Sequence, residues 1–171
     1  WYVNEEKMGG TLKEVVDRVN AIDMKFGIWV EPEMVSENSD LYREHPDWAL
    51  IVPGRKPDRS RFQLVLDFSR PEVVDAIFNK ITKVLDDVNV EYIKWDMNRS
   101  IADVYSATKD AKNQGEVLHR YVLGVYDFQE RLLARYPHLL LEGCCGGGGR
   151  FEPAMLAYSP QIWTSDNTDP I

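Results

Sequence analysis

The strongest constraint on the fold is a repeated alternation. Five short apolar runs, each closing on polar or reactive residues, are separated by segments of helical period: FGIWVE (26–31), QLVLDF (63–68), EYIKWD (91–96), LLLEG (139–143) and QIWTSD (161–166). TLKEVVDRVNAI (11–22) reads as a helix and opens on Thr11-Leu12-Lys13-Glu14, a capping box. Ser69-Arg70-Pro71-Glu72 offers a second box. It precedes a helix whose Val73, Val74, Ile77, Phe78, Ile81, Val84, Leu85 and Val88 fall on one face at a 3.6 period. A long helix is expected from Gln114 to Tyr136, a short one over Pro153 to Tyr158, and a polar, Pro-rich excursion from Pro32 to Ser60.

Strands separated by helices imply an α/β fold with a parallel sheet and right-handed crossovers. Five such strands would form the middle of a (β/α)8 barrel, which needs about 250 residues. An open doubly wound sheet is the alternative, but its glycine fingerprint after the first strand is missing. The chain begins at Trp1 without a Met. Residues 1–171 are therefore expected to be one partial catalytic barrel domain of a longer protein.

Composition narrows the class. A chain of 171 residues with 44% hydrophobic residues can bury a core. Its formal charge of −8 argues against nucleic acid and anionic membrane surfaces, and for a neutral or cationic small molecule as partner. No apolar run approaches the roughly 18 residues of a membrane span. The cysteines, Cys144 and Cys145, are adjacent. Their Cα atoms would stand ~3.8 Å apart, too close for ordinary disulfide geometry. Reduced thiols suit a cytoplasmic protein. His45, His119 and His138 show no ligand spacing, so no metal site is expected.

The reactive residues gather at strand ends, where barrels carry their chemistry. The runs finish at Trp29-Val30-Glu31, Asp67, Lys94-Trp95-Asp96, Glu142-Gly143-Cys144 and Thr164-Ser165-Asp166. Acids with Trp29, Trp95 and Trp163 nearby suit a neutral polyol. Aromatic faces meet sugar C–H groups, and carboxylates and Lys meet hydroxyls. Paired carboxylates on such a ligand point to glycoside hydrolysis, with Asp96 and Asp166 as the best pair. Lys94 shares the face of Asp96, and a cation there would keep Asp96 ionised, as a nucleophile must be. Asp166 has to hold a proton near neutrality, which partial burial near Trp163 would favour. Alternation sends Trp95 outward against a helix and leaves Trp29 as the sugar platform.

Several alternatives stay open at this point. Asp96 could be a structural acid bonded to loop amides. Asp169 rivals Asp166, and either could cap a helix. Asp67 could be a buried acid holding a loop. Glu31 and Glu33 could orient their loop rather than touch substrate, and Arg61 reads by itself as a solvated cation. The run EGCCGGGGR (142–150) is not a phosphate cradle, because Gly149 is followed by Arg150-Phe151 instead of Lys-Ser/Thr. Its glycines allow close backbone approach and positive φ.

The runs GIWVEPEMVSENSDLYREHPDW, YIKWDMNRS, EGCCGGGGRFEPAML and SPQIWTSDNTD, in this order, resemble the α-galactosidases of glycoside hydrolase family 36 over essentially the whole chain. The resemblance implies a (β/α)8 barrel and a retaining double displacement with no metal or organic cofactor. It also implies release of terminal α-galactose from melibiose- and raffinose-type sugars. Asp96 of KWDMN would be the nucleophile and Asp166, the first Asp of SDNTD, the acid/base. Galactose contacts would come from Trp29, Arg61, Lys94, Asn98, Cys144 and Gly147, the last two beside the C2 hydroxyl. The chain departs from the family at Cys145, where Ser is common. The implied partner is a small oligosaccharide, and the implied full-length protein is a homo-oligomer. Galactosyl transfer, as in raffinose synthesis, and α-N-acetylgalactosaminidase activity stay as alternatives. A non-catalytic sugar-binding barrel would lack one of the two acids, and both are present.

Overall fold

Both halves of the first capping box form. Glu14 N–H donates to Thr11 Oγ1 at 3.2 Å, and Thr11 N–H donates to Glu14 Oε2 at 2.8 Å. The structure, a computed structural model, describes residues 1–167. A single turn, α1 (Glu5–Met8), precedes α2 (Leu12–Asn20) and β1 (Gly27–Val30). Next come β2 (Met34–Ser36), α3 (Asp40–Glu44), a 3-10 turn at Pro46–Trp48 and β3 (Gln63–Val65). Helix α4 (Pro71–Leu85) leads to β4 (Tyr92–Trp95), and a 3-10 stretch at Ala111–Glu116 leads into α5 (Val117–Arg135). Strand β5 (Leu140–Gly143), a distorted turn α6 (Cys145–Gly148), α7 (Pro153–Tyr158) and β6 (Gln161–Ile162) follow. Among the described residues no helix is long and apolar enough to cross a membrane.

The main sheet is parallel, in the order β1-β4-β5-β6. Its two faces differ sharply. Val30, Ile93, Trp95 and Leu141 point into a core shared with Val74, Ile77, Phe78 and Ile81 of α4 and with Tyr121, Val125, Phe128 and Leu132 of α5. Trp95 meets Phe128 edge-on, with ring centroids 4.9 Å apart, so it packs outward as alternation requires. The opposite face carries Trp29, Lys94, Glu142 and Gln161 side by side in register. Trp29 is 46% exposed there.

Four expectations need correction. QLVLDF is not a strand of the parallel sheet. Its β3 pairs antiparallel with β2, in register Met34↔Val65 and Ser36↔Gln63. The parallel strands are four among the described residues, not five, because an apolar run reads alike whichever partner it takes. The second capping box does not form. Asp67 Oδ1 accepts from both the Ser69 hydroxyl (2.5 Å) and the Ser69 N–H (3.1 Å), while Arg70 Nε donates to Glu72 Oε1 at 2.8 Å. Helix α4 therefore starts from Pro71, which needs no N–H partner in its first turn, and it ends before Val88. The long helix is α-helical only from Val117, after the 3-10 stretch. The last strand pairs only over Gln161–Ile162, so Asp166 sits on a loop beyond it.

Helix α5 crosses the Phe68 backbone at Gly124. A Cβ built there would stand 2.0 Å from the Phe68 carbonyl oxygen and 3.2 Å from Val74 Cγ2. Alanine gains roughly 1 kcal/mol of helix propensity over glycine, but the obstacle is backbone and cannot rotate away. Gly124→Ala is expected to destabilise the protein by about 1–3 kcal/mol, as overpacking does. Thermal unfolding checks this; an unchanged or raised melting temperature would mean that propensity wins.

Candidate active site

Past the strand ends the parallel pattern continues through the backbone. Asp96 N–H donates to Val30 O, Cys144 N–H to Trp95 O and Trp163 N–H to Gly143 O, each at 2.9 Å. This brings Glu31, Asp96, Cys144 and Trp163 to one end of the open face. Asp96 is buried, and donors surround it. Its Oδ1 accepts from the N–H groups of Met97 (2.8 Å), Cys145 (3.1 Å) and Gly146 (3.4 Å). Its Oδ2 accepts from Asn98 Nδ2 (2.6 Å) and Trp29 Nε1 (3.1 Å). Burial penalises the Asp96 charge. Hydrogen bonds from the Cys144 thiol, Asn98, Trp29 and the Met97 amide outweigh that penalty and hold the carboxyl below the ordinary carboxylate range. Burial raises the pKa of the Cys144 thiol, which keeps it a donor.

Ionisation was expected to come from Lys94. In the structure Lys94 Nζ lies 3.9 Å above the centroid of the Trp163 ring instead. Neutral donors around Asp96 do the work, because several short hydrogen bonds stabilise a buried carboxylate without burying a second charge.

Asp166 is exposed rather than partly buried, and its Oδ1 accepts from Trp163 Nε1 at 2.8 Å. Asp169, its rival, lies outside the described residues. Gly147 has φ +83°, and its missing Cβ would stand 2.9 Å from Asp166 N and 3.1 Å from Ser165 Cα. Glycine there lets the 142–150 loop press against the backbone that carries Asp166.

Glu31 is buried. It accepts from the Asn98 side chain (2.6 Å) and N–H (3.2 Å), so it orients the loop after β4. Arg61 Nη1 reaches Glu31 at 3.4 Å with the Arg61 side chain 56% exposed, from a left-handed backbone at φ +53°. Asp67 holds the turn before α4 through Ser69.

Sequence reasoning missed the part played by Glu33 and Arg150. Glu33 is wholly buried, and Arg150 binds both its oxygens, at 2.6 and 2.5 Å. Trp95 Nε1 donates to the same carboxylate at 2.8 Å, and the Tyr121 hydroxyl donates as well. A lone Glu two residues past a strand and an Arg after four glycines carry no signal that they meet. Only the buried setting of Trp95 and Tyr121, whose N–H and O–H need partners, could have hinted at it.

Burial opposes the Glu33 charge, but Arg150, Tyr121 and Trp95 hold its pKa below the usual range. A lowered folded-state pKa contributes stability that is fully present above the ordinary carboxylate pKa and is lost as pH falls through the lower folded-state pKa. Arg150→Met would leave Glu33 buried and unpaired, costing about 3–5 kcal/mol at neutral pH. The pH dependence then inverts, with the variant relatively less destabilised near about pH 4. Urea unfolding at the two pH values checks both statements.

The comparisons agree with this geometry. The family model described as Melibiase matches residues 1–171. A bifunctional α-galactosidase/sucrose kinase, AgaSK of Mediterraneibacter gnavus, is 62% identical over all of this chain, which covers 17% of that protein. The crystal structure of the GH36 α-galactosidase AgaB from Geobacillus stearothermophilus matches with TM-score 0.96 at 51% identity, covering 99% of this chain and 23% of that one. A variant of AgaA from the same organism, solved in complex with raffinose, matches with TM-score 0.94 at 50% identity, over 99% of this chain and 24% of that one. The chain thus spans about a fifth of the length of the curated relatives it matches. On a match that runs through both Asp96 and Asp166, and through the glycine loop between them, the chain belongs to the Melibiase family, the glycoside hydrolase family 36 α-galactosidases of the sequence resemblance.

Proposed function

We propose that these residues are the central part of the (β/α)8 barrel of a retaining α-galactosidase acting on melibiose- and raffinose-type sugars. The observation that carries the reading is the state of Asp96: a buried carboxylate held ionised by neutral donors at the end of a parallel strand. Helices packed on one face of the sheet support a barrel over a doubly wound sheet, which covers both faces. Relatives solved with raffinose, stachyose and 1-deoxygalactonojirimycin support the substrate class.

The chemistry is a double displacement. Asp96 attacks the anomeric carbon as the C1–O bond breaks, and the Asp166 proton passes to the departing oxygen. A covalent galactosyl–enzyme results. Water then attacks C1, gives its proton to Asp166 and releases Asp96 as the carboxylate. Retention requires the two carboxyls about 5–5.5 Å apart around the bound sugar. Trp29, Arg61, Lys94, Asn98, Cys144 and Gly147 would line the galactose. Trp29 and Asn98 then have a second task, since both already donate to Asp96.

In the full-length enzyme carrying this sequence, Asp96→Gly should lower hydrolysis of an activated α-galactoside by about 10³-fold or more, some 4 kcal/mol of barrier. Azide should restore turnover and yield the β-galactosyl azide, because it enters from the face that Asp96 occupied. Near-normal hydrolysis by the variant would sink the assignment. Trp29→Phe removes one donor from Asp96, so the acid limb of the kcat/KM profile should move to higher pH. A limb that stays in place would mean that the indole contact does not tune the nucleophile.

A further inference from the structure

The Trp163 indole joins two groups of the site. Its Nε1–H donates to Asp166 Oδ1 at 2.8 Å, and Lys94 Nζ stands 3.9 Å above its ring centroid. The backbone on either side is clamped. Trp163 N–H donates to Gly143 O at 2.9 Å. The Thr164 carbonyl oxygen lies 3.1 Å from where a Gly148 Cβ would be, and Asp166 N lies 2.9 Å from where a Gly147 Cβ would be. The main chain of Asp166 is thus located by the glycine loop. Its side chain is exposed and would otherwise sample several rotamers.

We propose that Trp163 is a positioning residue for the acid/base: its indole N–H fixes the Asp166 carboxyl, and the Lys94 cation steadies the ring that carries this N–H. The proposal rests on the reading of Asp166 as acid/base and deepens it. An indole nitrogen can only donate, so Asp166 Oδ1 must accept. The transferable proton is then on Oδ2, free to meet the glycosidic oxygen. A cation on the ring face favours one ring orientation, by the attraction of a positive charge to the aromatic quadrupole. Sequence alternation places Lys94 and Trp163 on the same open face, two strands apart, which is why this contact can form.

A positioning role has a signature that a structural role lacks. The proton matters most when the leaving group is a sugar alkoxide and least when it departs unaided. In the first step the proton leaves Asp166 Oδ2 for the glycosidic oxygen while Asp96 bonds to C1. A dinitrophenolate leaves as the anion and needs no such transfer. Trp163→Phe keeps an aromatic face under Lys94 and deletes only the donor.

The test measures kcat/KM on melibiose and on a dinitrophenyl α-galactoside for the full-length enzyme, Trp163→Phe, Asp166→Ala and the double variant. Trp163→Phe should lose about tenfold on melibiose and less than about twofold on the dinitrophenyl substrate. In the Asp166→Ala background it should cost nothing further on melibiose, since it acts through Asp166. Equal losses on the two substrates, or an undiminished loss in the double variant, would overturn the proposal. If Asp166→Ala itself shows no contrast between the substrates, the acid/base reading of Asp166 falls, and this inference with it.

Discussion

The Glu33–Arg150 pair is the contact on which the rest of the site depends. It joins segments 117 residues apart in sequence, and every hydrogen-bonding partner of Glu33 comes from a different element. Arg150 ends the glycine loop, Trp95 lies on β4 next to Asp96, and Tyr121 comes from α5. The pair is not a large net source of stability, because desolvating two charges cancels most of their attraction. What it supplies is geometry. With Arg150 anchored, Cys145 and Gly146 present their N–H groups to Asp96, and Gly147 lies against the backbone of Asp166.

The two carboxylates differ because their surroundings differ. Asp96 is buried among neutral donors, so its charge is stabilised, as the proposed nucleophile role requires. Asp166 is exposed, and the indole of Trp163 donates to it. A buried carboxylate held by several donors after β4 and an exposed one on the loop after β6 give the asymmetry that the proposed double displacement calls for.

Much of this was legible in the chain. Apolar runs located every strand of the parallel sheet, and the Thr11–Glu14 box located the start of α2 to the residue. Alternation along β4 separated Trp95 from Lys94 and Asp96 correctly. The differences have separate physical causes. QLVLDF reads like a strand of the parallel sheet because β2, its actual partner, is three residues long and lies in a polar stretch. The box at Ser69 does not form because Arg70, not Ser69, is the N-cap of α4, and the Glu72 carboxylate accepts from Arg70 Nε instead of reaching back. Lys94 shares a face with Asp96, but a shared face does not fix which side chains meet, and its ammonium lies over the Trp163 ring.

The sequence by itself determined the alternation of strand and helix, the face on which each strand residue lies, and the family. These follow from local periodicity and from motifs that survive as strings of residues. The tertiary structure alone decided who touches whom. It paired Glu33 with Arg150, set Lys94 over Trp163 rather than beside Asp96, and pressed Gly147 onto Asp166. Hydrogen bonds and charge effects act over a few ångströms, and separation along the chain carries no information at that scale once helices have folded the strand ends together.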